Sequence, residues 1–299
     1  MYKLHCLSDY DRLALSVSGG DHVVQVIGIY CFSGTGNTLK CAKALEASLK
    51  GLGAEVGLHE ISDGSEIPAE RDLVICFPVY GFNMPRIMKS FCQNVPGGAN
   101  VWFMKTSGEP LRLNDNSSFE MIRILKKRNC VIKGEFHYVM PYNMVFRHTD
   151  EMASKMWKTA KERIPAAARI IAEGEGTQIH PSFPAKAVSA LCRIEHWFYP
   201  KNGRLFRVDN KKCVRCMKCV NVCPTRNITF SDGKIRFGNN CIGCVRCSFN
   251  CPKDAIRIGL INFMRVNGPY DFTRDPEKAV IGRYCRKAYQ RYFSSYENE

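Results

Sequence analysis

Apolar and amphipathic segments alternate along the first half of the chain. Five short apolar runs have the length and composition of buried strands. They occupy residues 23–31, 54–60, 72–77, 99–105 and 135–140. Between and after them, apolar residues recur at helical spacing in residues 39–49, 85–91, 119–128 and 151–173. This alternation predicts an α/β fold with a doubly wound, five-stranded parallel sheet, and the order we expect is 2-1-3-4-5.

The pattern changes after residue 203. A short apolar run covers residues 204–208, and two more flank Ser231-Asp232-Gly233, which is a hairpin signature. Residues 255–258 have the composition to pair with the run at 205–208. These few short elements predict a second, smaller α+β domain with a thin apolar core.

These patterns divide the chain into five predicted segments. Residues 1–22 form an extension that is disordered or not native, 23–175 the α/β domain, 176–203 a connector, 204–261 the small domain, and 262–299 a tail with an amphipathic helix. In the connector, Trp197, Phe198 and Tyr199 predict a packed segment that fixes the two domains against each other. In the tail, the helical stripe is predicted to pack on the protein itself, with a membrane surface as the alternative. That stripe consists of Ile281, Tyr284, Ala288, Tyr292 and Tyr296.

Candidate chemistry enters with the cysteines of the small domain, which repeat the pattern C-x2-C-x2-C-x3-C-P. The first copy is Cys213, Cys216, Cys219 and Cys223, and the second is Cys241, Cys244, Cys247 and Cys251. This spacing is typical of two [4Fe–4S] clusters in which the fourth cysteine of each run binds the other cluster. We therefore predict one cluster on Cys213, Cys216, Cys219 and Cys251, and a second on Cys241, Cys244, Cys247 and Cys223. Zinc, which favours two separated cysteine pairs, and a disulfide framework fit less well.

A second motif lies between the first strand and the first helix. It comprises Ser33, Gly34, Thr35, Gly36, Asn37 and Thr38. The motif lacks the lysine of a triphosphate-binding loop and the glycine spacing of a dinucleotide-binding turn. Backbone N–H groups, hydroxyls and the helix dipole can hold a phosphate dianion there without a cation. The alternative interpretation is an ordinary helix N-terminus with a flexible glycine turn.

The sequence resembles a known family at these motifs. Residues 33–38 (SGTGNT), 77–86 (FPVYGFNMPR) and 105–110 (KTSGEP) look like the three loops of a flavodoxin that surround its flavin. Residues 23–261 resemble proteins that fuse a flavodoxin-type domain to a ferredoxin with two clusters.

The resemblance implies bound FMN. Ser33, Thr35, Asn37 and Thr38 would hold its phosphate, and either Tyr80 or Phe82 would stack on its ring, although simple loop packing also explains these aromatic residues. By the same resemblance, the Gly81 carbonyl would face the ring nitrogen N5. The other edge of the ring would be lined by Thr106, Ser107 and Gly108.

Charge and composition restrict the partners and the compartment. The formal net charge is +15, and two clusters and a phosphate would reduce it to about +9. A basic surface favours a redox protein partner with an acidic surface, and no nucleic-acid-binding motif is present. Sixteen cysteines without an export signal predict a reducing, cytoplasmic location, and no apolar run has the length of a membrane span.

Together these features predict an electron-transfer protein that passes low-potential electrons between two clusters and FMN and on to a protein partner. The chain has no NAD(P)H-binding motif, and its histidines are scattered. One alternative is an oxidoreductase that reduces a small molecule at the flavin, with Tyr142, His148 or Lys105 as proton donor. The other is a redox sensor.

Overall fold

A five-stranded parallel sheet in the order β2-β1-β3-β4-β5 forms the first domain, which confirms the predicted order. Its strands are β1 (Val26–Cys31), β2 (Glu55–Glu60), β3 (Asp72–Pro78), β4 (Asn100–Ser107) and β5 (Val131–Val139). The computed structural model describes residues 24–177 and 180–294, so the extension predicted for residues 1–22 lies outside the described residues. The predicted domain boundaries stay predictions.

Four helices cover the two faces of this sheet. They are α1 (Asn37–Gly51), α2 (Ile87–Asn94), α3 (Phe119–Lys126) and α4 (Asp150–Ala172). Helices α1 and α4 share one apolar core with Trp102, and helices α2 and α3 share the other with Phe103. Neighbouring residues of β4 therefore enter opposite cores, as the two-residue repeat of a strand requires. The two cores hold the sheet between the helices. Because the strands are parallel, the loops that follow their carboxyl ends all lie at the same edge of the sheet.

The small domain contains the elements that its sequence predicts. Two antiparallel pairs are formed by β6 (Arg207–Val208) with β9 (Ile256–Arg257) and by β7 (Ile228–Ser231) with β8 (Lys234–Phe237). Asp232 and Gly233 both have positive φ, which is the type I′ geometry that a two-residue hairpin favours. Two single-turn helices, α7 (Lys218–Asn221) and α8 (Arg246–Phe249), each contain the third cysteine of a run, Cys219 and Cys247 respectively.

The connector and the tail differ in detail from the sequence prediction. The connector contains two helices, α5 (Phe183–Cys192) and α6 (Glu195–Gly203), and Trp197 is 60% exposed whereas Tyr199 is largely covered. The tail helix α9 (Arg286–Ser294) begins later than expected, because Cys285 has a positive φ that a helix cannot continue through.

The buried stripe of helix α9 is also shifted. Tyr289 and Phe293 pack against β5 and α4 and form its centre, while Tyr292 is only partly buried there. The predicted stripe included Tyr296, which lies outside the described residues. None of the helices in residues 24–177 and 180–294 combines the length and the apolar character that crossing a bilayer requires.

A buried ion pair joins β4 to β5. The Lys105 ammonium lies 2.7 Å from a carboxylate oxygen of Glu135 and donates a second bond of 3.0 Å to the Asn114 carbonyl. Lys105 is fully buried and Glu135 is 7% exposed. Removing one partner of such a pair leaves the other charge buried and unpaired, and that costs far more than the pair itself contributes.

We expect Lys105→Met to lower the free energy of unfolding by about 3–5 kcal/mol, because the Glu135 carboxylate loses its cation. Urea denaturation followed by circular dichroism measures the change.

The matched control is Lys158→Met, which breaks the exposed pair between Lys158 and Glu277 at 2.9 Å. Solvent screens that pair, so the control protein should unfold at the wild-type urea concentration. Equal losses in the two variants would show that burial does not decide the value of the Lys105–Glu135 pair.

Candidate functional site

A cleft of about 290 Å³ opens at the carboxyl ends of the sheet strands, close to the lower limit of small-molecule pockets. It is lined by the loops that follow β1, β3, β4 and β5. A doubly wound sheet binds its ligand at this edge, beside the strands where the chain order reverses. Here those strands are β1 and β3. The cleft is therefore the candidate binding site.

The loop after β1 is held in one conformation by short hydrogen bonds. The Gly36 amide donates to the Ser33 hydroxyl at 3.1 Å, and Gly36 has a φ of 104°, which favours glycine. The Thr38 and Thr106 hydroxyls bond to each other at 2.8 Å. The Asn37 side-chain amide donates to the Pro141 carbonyl at 2.7 Å. These bonds present the N-terminus of the 15-residue helix α1 to the cleft, so the loop fits a phosphate dianion.

The structure brings nearly all the predicted flavin-site residues together at the cleft. Those that line it are Ser33, Gly34, Thr35, Asn37, Thr38, Tyr80, Gly81, Phe82, Thr106, Ser107 and Gly108. Gly36 forms the turn behind them. Gly81 and Phe82 both have positive φ, so the loop after β3 makes a sharp turn beside the cleft. The role of each residue stays a prediction.

Tyr80 lies between the cleft and the small domain. Its hydroxyl is buried and has no hydrogen-bond partner in the described part of the chain. A Cβ atom on Gly34 would lie 2.2 Å from this hydroxyl oxygen, so only glycine fits there. Burial and the nearby Cys244 raise the pKa of Tyr80, and its hydroxyl keeps its proton as a donor. A buried donor beside residues 33–38, which we call the phosphate loop after its predicted role, fits a polar ligand group in the cleft.

The eight motif cysteines fall into two groups in space. Cys213, Cys216, Cys219 and Cys251 line one cavity, and Cys223, Cys241, Cys244 and Cys247 line another. These are the two predicted ligand sets, each including the fourth cysteine of the other run. In residues 24–177 and 180–294, no three His, Cys, Asp or Glu side chains are arranged to hold a single metal ion. We call the first group the outer set and the second the inner set.

The two sets differ in exposure. Cys216 of the outer set is exposed, whereas Cys244 and Cys247 of the inner set are buried. Burial raises the pKa of Cys244 to about 12, so its thiolate forms only if positive charge, such as iron, is supplied. Backbone amides donate to sulfur in both sets, from Ala255 to Cys251 at 3.2 Å and from Asn227 to Cys223 at 3.3 Å. Amide donors of this kind suit thiolates that bind an iron–sulfur cluster.

The inner set adjoins the cleft directly. Gly243, between two inner-set cysteines, lines the cleft, and the Cys244 carbonyl lies 3.0 Å from the position of a Cβ on Gly34. Arg246 stabilises this contact with hydrogen bonds. Its guanidinium donates to the carbonyls of Ser33 and Gly34 in the phosphate loop.

The same guanidinium reaches two further segments. It donates at 3.2 Å to the carbonyl of Val222, beside the inner-set Cys223, and at 2.6 Å to the Glu60 carboxylate at the end of β2. One side chain thus joins the sheet, the phosphate loop and the inner set.

The sequence analysis missed two carboxyl groups in the cleft. Tyr142 donates to Glu109 on one wall, and the Tyr199 hydroxyl donates at 2.9 Å to the Glu195 carboxyl on the opposite wall. Burial raises the pKa of Glu195, and the hydrogen bond from Tyr199 opposes that rise. Glu195 lies in the connector, far from every motif in the sequence, so no local signal pointed to it.

The three proton donors predicted from the sequence lie in different positions relative to the cleft. Tyr142 lines the cleft, and its ring packs on Gly108. His148 stacks on Tyr142 outside the cleft lining, and burial lowers its pKa to about 4, so it is neutral at pH 7. The Lys105 ammonium forms a buried ion pair with the Glu135 carboxylate. The expectation that Lys105 could serve the cleft is not supported by its position.

Comparison with protein families and with curated proteins gives one match. Residues 206–229 match the 4Fe-4S binding domain family. Comparison with curated proteins finds no match.

Solved structures resemble the first half of the chain weakly. The flavodoxin of Streptococcus pneumonia TIGR4 is 16% identical, with 50% of this chain and 99% of that chain covered and a TM-score of 0.36. Flavodoxin 2 from Bacillus cereus is 15% identical, with 50% and 99% covered and a TM-score of 0.38. Megasphaera elsdenii flavodoxin is 19% identical, with 48% and 98% covered and a TM-score of 0.33.

The strand order of the sheet, rather than these weak likenesses, identifies the architecture of the first domain. The chain therefore combines an α/β domain with the flavodoxin-like strand order and a segment, residues 206–229, that matches the 4Fe-4S binding domain family.

Proposed function

We propose that this protein is an electron carrier that binds two [4Fe–4S] clusters and FMN, passes electrons between them within one chain, and exchanges them with a redox protein partner. The main support is the shared wall between the cleft and the inner set of cysteines. Gly243 belongs to the inner-set loop and lines the cleft beside the phosphate loop. Only side chains and one backbone turn would therefore separate a cluster bound by the inner set from the cleft.

The residues of the cleft would hold FMN. The loop at residues 33–38 would bind the phosphate, because its amides and hydroxyls and the N-terminus of α1 face the cleft. The loops after β3 and β4 would border the ring. When bound, FMN accepts one electron or two, which lets it exchange with one-electron centres and two-electron partners.

The two cysteine sets would hold one cluster each. The match to the 4Fe-4S binding domain family covers the first cysteine run, and the second run repeats its spacing. A [4Fe–4S] cluster exchanges single electrons. The outer set, whose Cys216 is exposed, is suited to meet a partner, and the inner set, whose Cys244 and Cys247 are buried, is suited to pass electrons to the cleft. This difference in exposure would place one end of the proposed electron route at the protein surface and the other end at the cleft.

The surface around the outer set indicates the chemistry of the partner. Five exposed cations border its cysteines: Lys211, Lys212, Arg215, Lys218 and Lys253. Within the described residues none of the five forms an ion pair. Val214, 58% exposed, lies among them. Exposed cations together with an exposed apolar side chain complement an acidic protein surface. We call these five cations and Val214 the basic face.

Anaerobically reconstituted protein should contain about eight irons and eight sulfides per chain, together with FMN. Flash reduction of the clusters should then reduce the flavin at a rate that does not change with protein concentration, because the centres share one chain. Stopped-flow spectroscopy measures that rate.

Three results would contradict the proposal: about two zinc ions without sulfide, the absence of flavin, or a transfer rate that rises in proportion to protein concentration. Fast reoxidation of the flavin by one metabolite, without a protein partner, would instead support a reductase.

Arg246→Gln should weaken FMN binding by about 1.5 kcal/mol, roughly tenfold in Kd, and slow the transfer from the clusters. The reason is that the phosphate loop and the inner set lose the guanidinium that joins them. Fluorescence titration with FMN measures the affinity, and flash reduction measures the transfer.

Arg236→Gln is the control, because Arg236 pairs with Asp232 on an exposed hairpin of the same domain. If both variants bind FMN with wild-type affinity, Arg246 does not support the phosphate loop.

The double variant Lys211→Glu with Lys212→Glu should slow electron uptake from a reduced acidic ferredoxin, used as the probe, by about tenfold or more at low salt. The difference from wild type should shrink as salt is added, since exposed charges are screened. Stopped-flow mixing at several salt concentrations gives both values.

The control is Lys126→Glu with Lys127→Glu, an adjacent exposed pair at the end of α3. An equal slowing by the control variant would assign the effect to net charge and refute docking at the basic face.

A further inference from the structure

The connector places a carboxyl group against the backbone of the cleft. The Glu195 side chain on α6 occupies the space where a Cβ on Gly81 would lie, with its carboxyl carbon 2.3 Å from that position. Gly81 belongs to the loop after β3 and lines the cleft. Only a glycine at residue 81 therefore lets the carboxyl approach so closely.

The same helix turn contacts the inner set. Tyr199 donates to Glu195 at 2.9 Å, and its ring packs on Gly243, where a Cβ would lie 2.5 Å from the ring. Glu195 and Tyr199 both line the cleft. The pair thus bridges the loop beside the cleft and the loop of the inner set, at the point where electrons would enter the flavin.

We propose that Glu195 supplies the proton that the flavin takes up when electrons reach it from the inner cluster, and that Tyr199 is the positioning residue that holds the carboxyl in place. This inference rests on the proposed function, namely on FMN bound in the cleft. It assigns the proton donor to a residue that was not among the three candidates named from the sequence.

The chemistry balances with groups already named. Each reduced cluster gives one electron and is oxidised, and the flavin ring is reduced. The O–H bond of the Glu195 carboxyl breaks, an N–H bond forms on the ring, and a carboxylate remains on Glu195. Glu195 is partly exposed, so solvent returns the proton to it.

The surroundings of Glu195 favour its protonated form relative to an exposed carboxyl group. Burial raises its pKa, and the Tyr199 hydrogen bond partly offsets this rise. The titratable or charged groups that face it are Tyr80, Arg86, Cys192, His196, Tyr199 and Cys241. The Arg86 guanidinium is bonded to Asn240 at 2.7 Å.

The sign of the pH dependence follows from the raised pKa. Glu195 donates while it is protonated, so flavin reduction slows as pH rises through its pKa. Tyr199→Phe removes the bond that favours the carboxylate, and the slowing should then move to higher pH. A purely structural role for Tyr199 would not shift that profile.

The test compares wild-type holoprotein with Glu195→Gln, Tyr199→Phe and the surface control Glu66→Gln. After flash reduction of the clusters, Glu195→Gln should slow the proton-linked flavin reduction about 100-fold and abolish its pH dependence. FMN affinity and cluster reduction should match wild type. Infrared difference spectra should show loss of a protonated-carboxyl band on flavin reduction in wild type and in Glu66→Gln, but not in Glu195→Gln.

The outcomes separate the two hypotheses. If Glu195→Gln binds FMN normally and keeps the wild-type rate, pH profile and infrared band, the assignment of the proton donor is wrong and the proposed function stands. If wild-type protein binds no FMN, both fail. If Glu195→Gln does not fold, the Tyr199→Phe profile decides: an unshifted profile overturns the inference and a shift to higher pH supports it.

Discussion

The contact between the phosphate loop and the inner-set loop is the constraint on which the rest of the structure depends. Gly34 has the Tyr80 hydroxyl and the Cys244 carbonyl within 3.0 Å of where its Cβ would be. No side chain fits between these three residues, so the two domains meet backbone to backbone. A single methyl group at residue 34 would push the small domain away from the cleft, because neither a backbone carbonyl nor a buried ring can yield easily.

That contact is polar, and it is satisfied by the domains themselves. Arg246 donates hydrogen bonds to backbone carbonyls of both domains, those of Ser33 and Gly34 in one and that of Val222 in the other. On the other side of the cleft, Asn83 and Ser189 exchange two hydrogen bonds of 2.9 Å and dock helix α5. Buried polar pairs of this kind stabilise a contact little beyond their desolvation cost, but they exclude other registers. The interface is therefore fixed in geometry more than it is strong.

The sequence predicted what local chemistry determines. The spacing of Cys213 to Cys251 and the residues 33–38 are short-range patterns, and the alternation of apolar runs defined the sheet order. The positions of Arg246 and Glu195 could not be predicted, because each acts on segments distant in sequence. The connector was predicted as a packed segment, but its two helices were not predicted; Pro184 lies in the first turn of α5, where proline is tolerated, and Pro200 lies inside α6. The start of α9 depends on the backbone of Cys285, which periodicity does not reveal.

A helical, docked connector changes the physical meaning of the fusion. A flexible tether would raise the effective concentration of one centre near the other, and transfer would then depend on its length. Here α5 and α6 pack against the loop after β3, with His196 bonded to the Met84 carbonyl at 3.0 Å. Under the proposed function, transfer within the chain would then depend on a fixed distance through Gly243 and Tyr80. Because the same helix α6 holds Glu195 against Gly81 and Tyr199 against Gly243, any movement that opened the route for electrons would also displace the carboxyl. The proposed electron entry and the proposed proton supply would thus both depend on the position of helix α6.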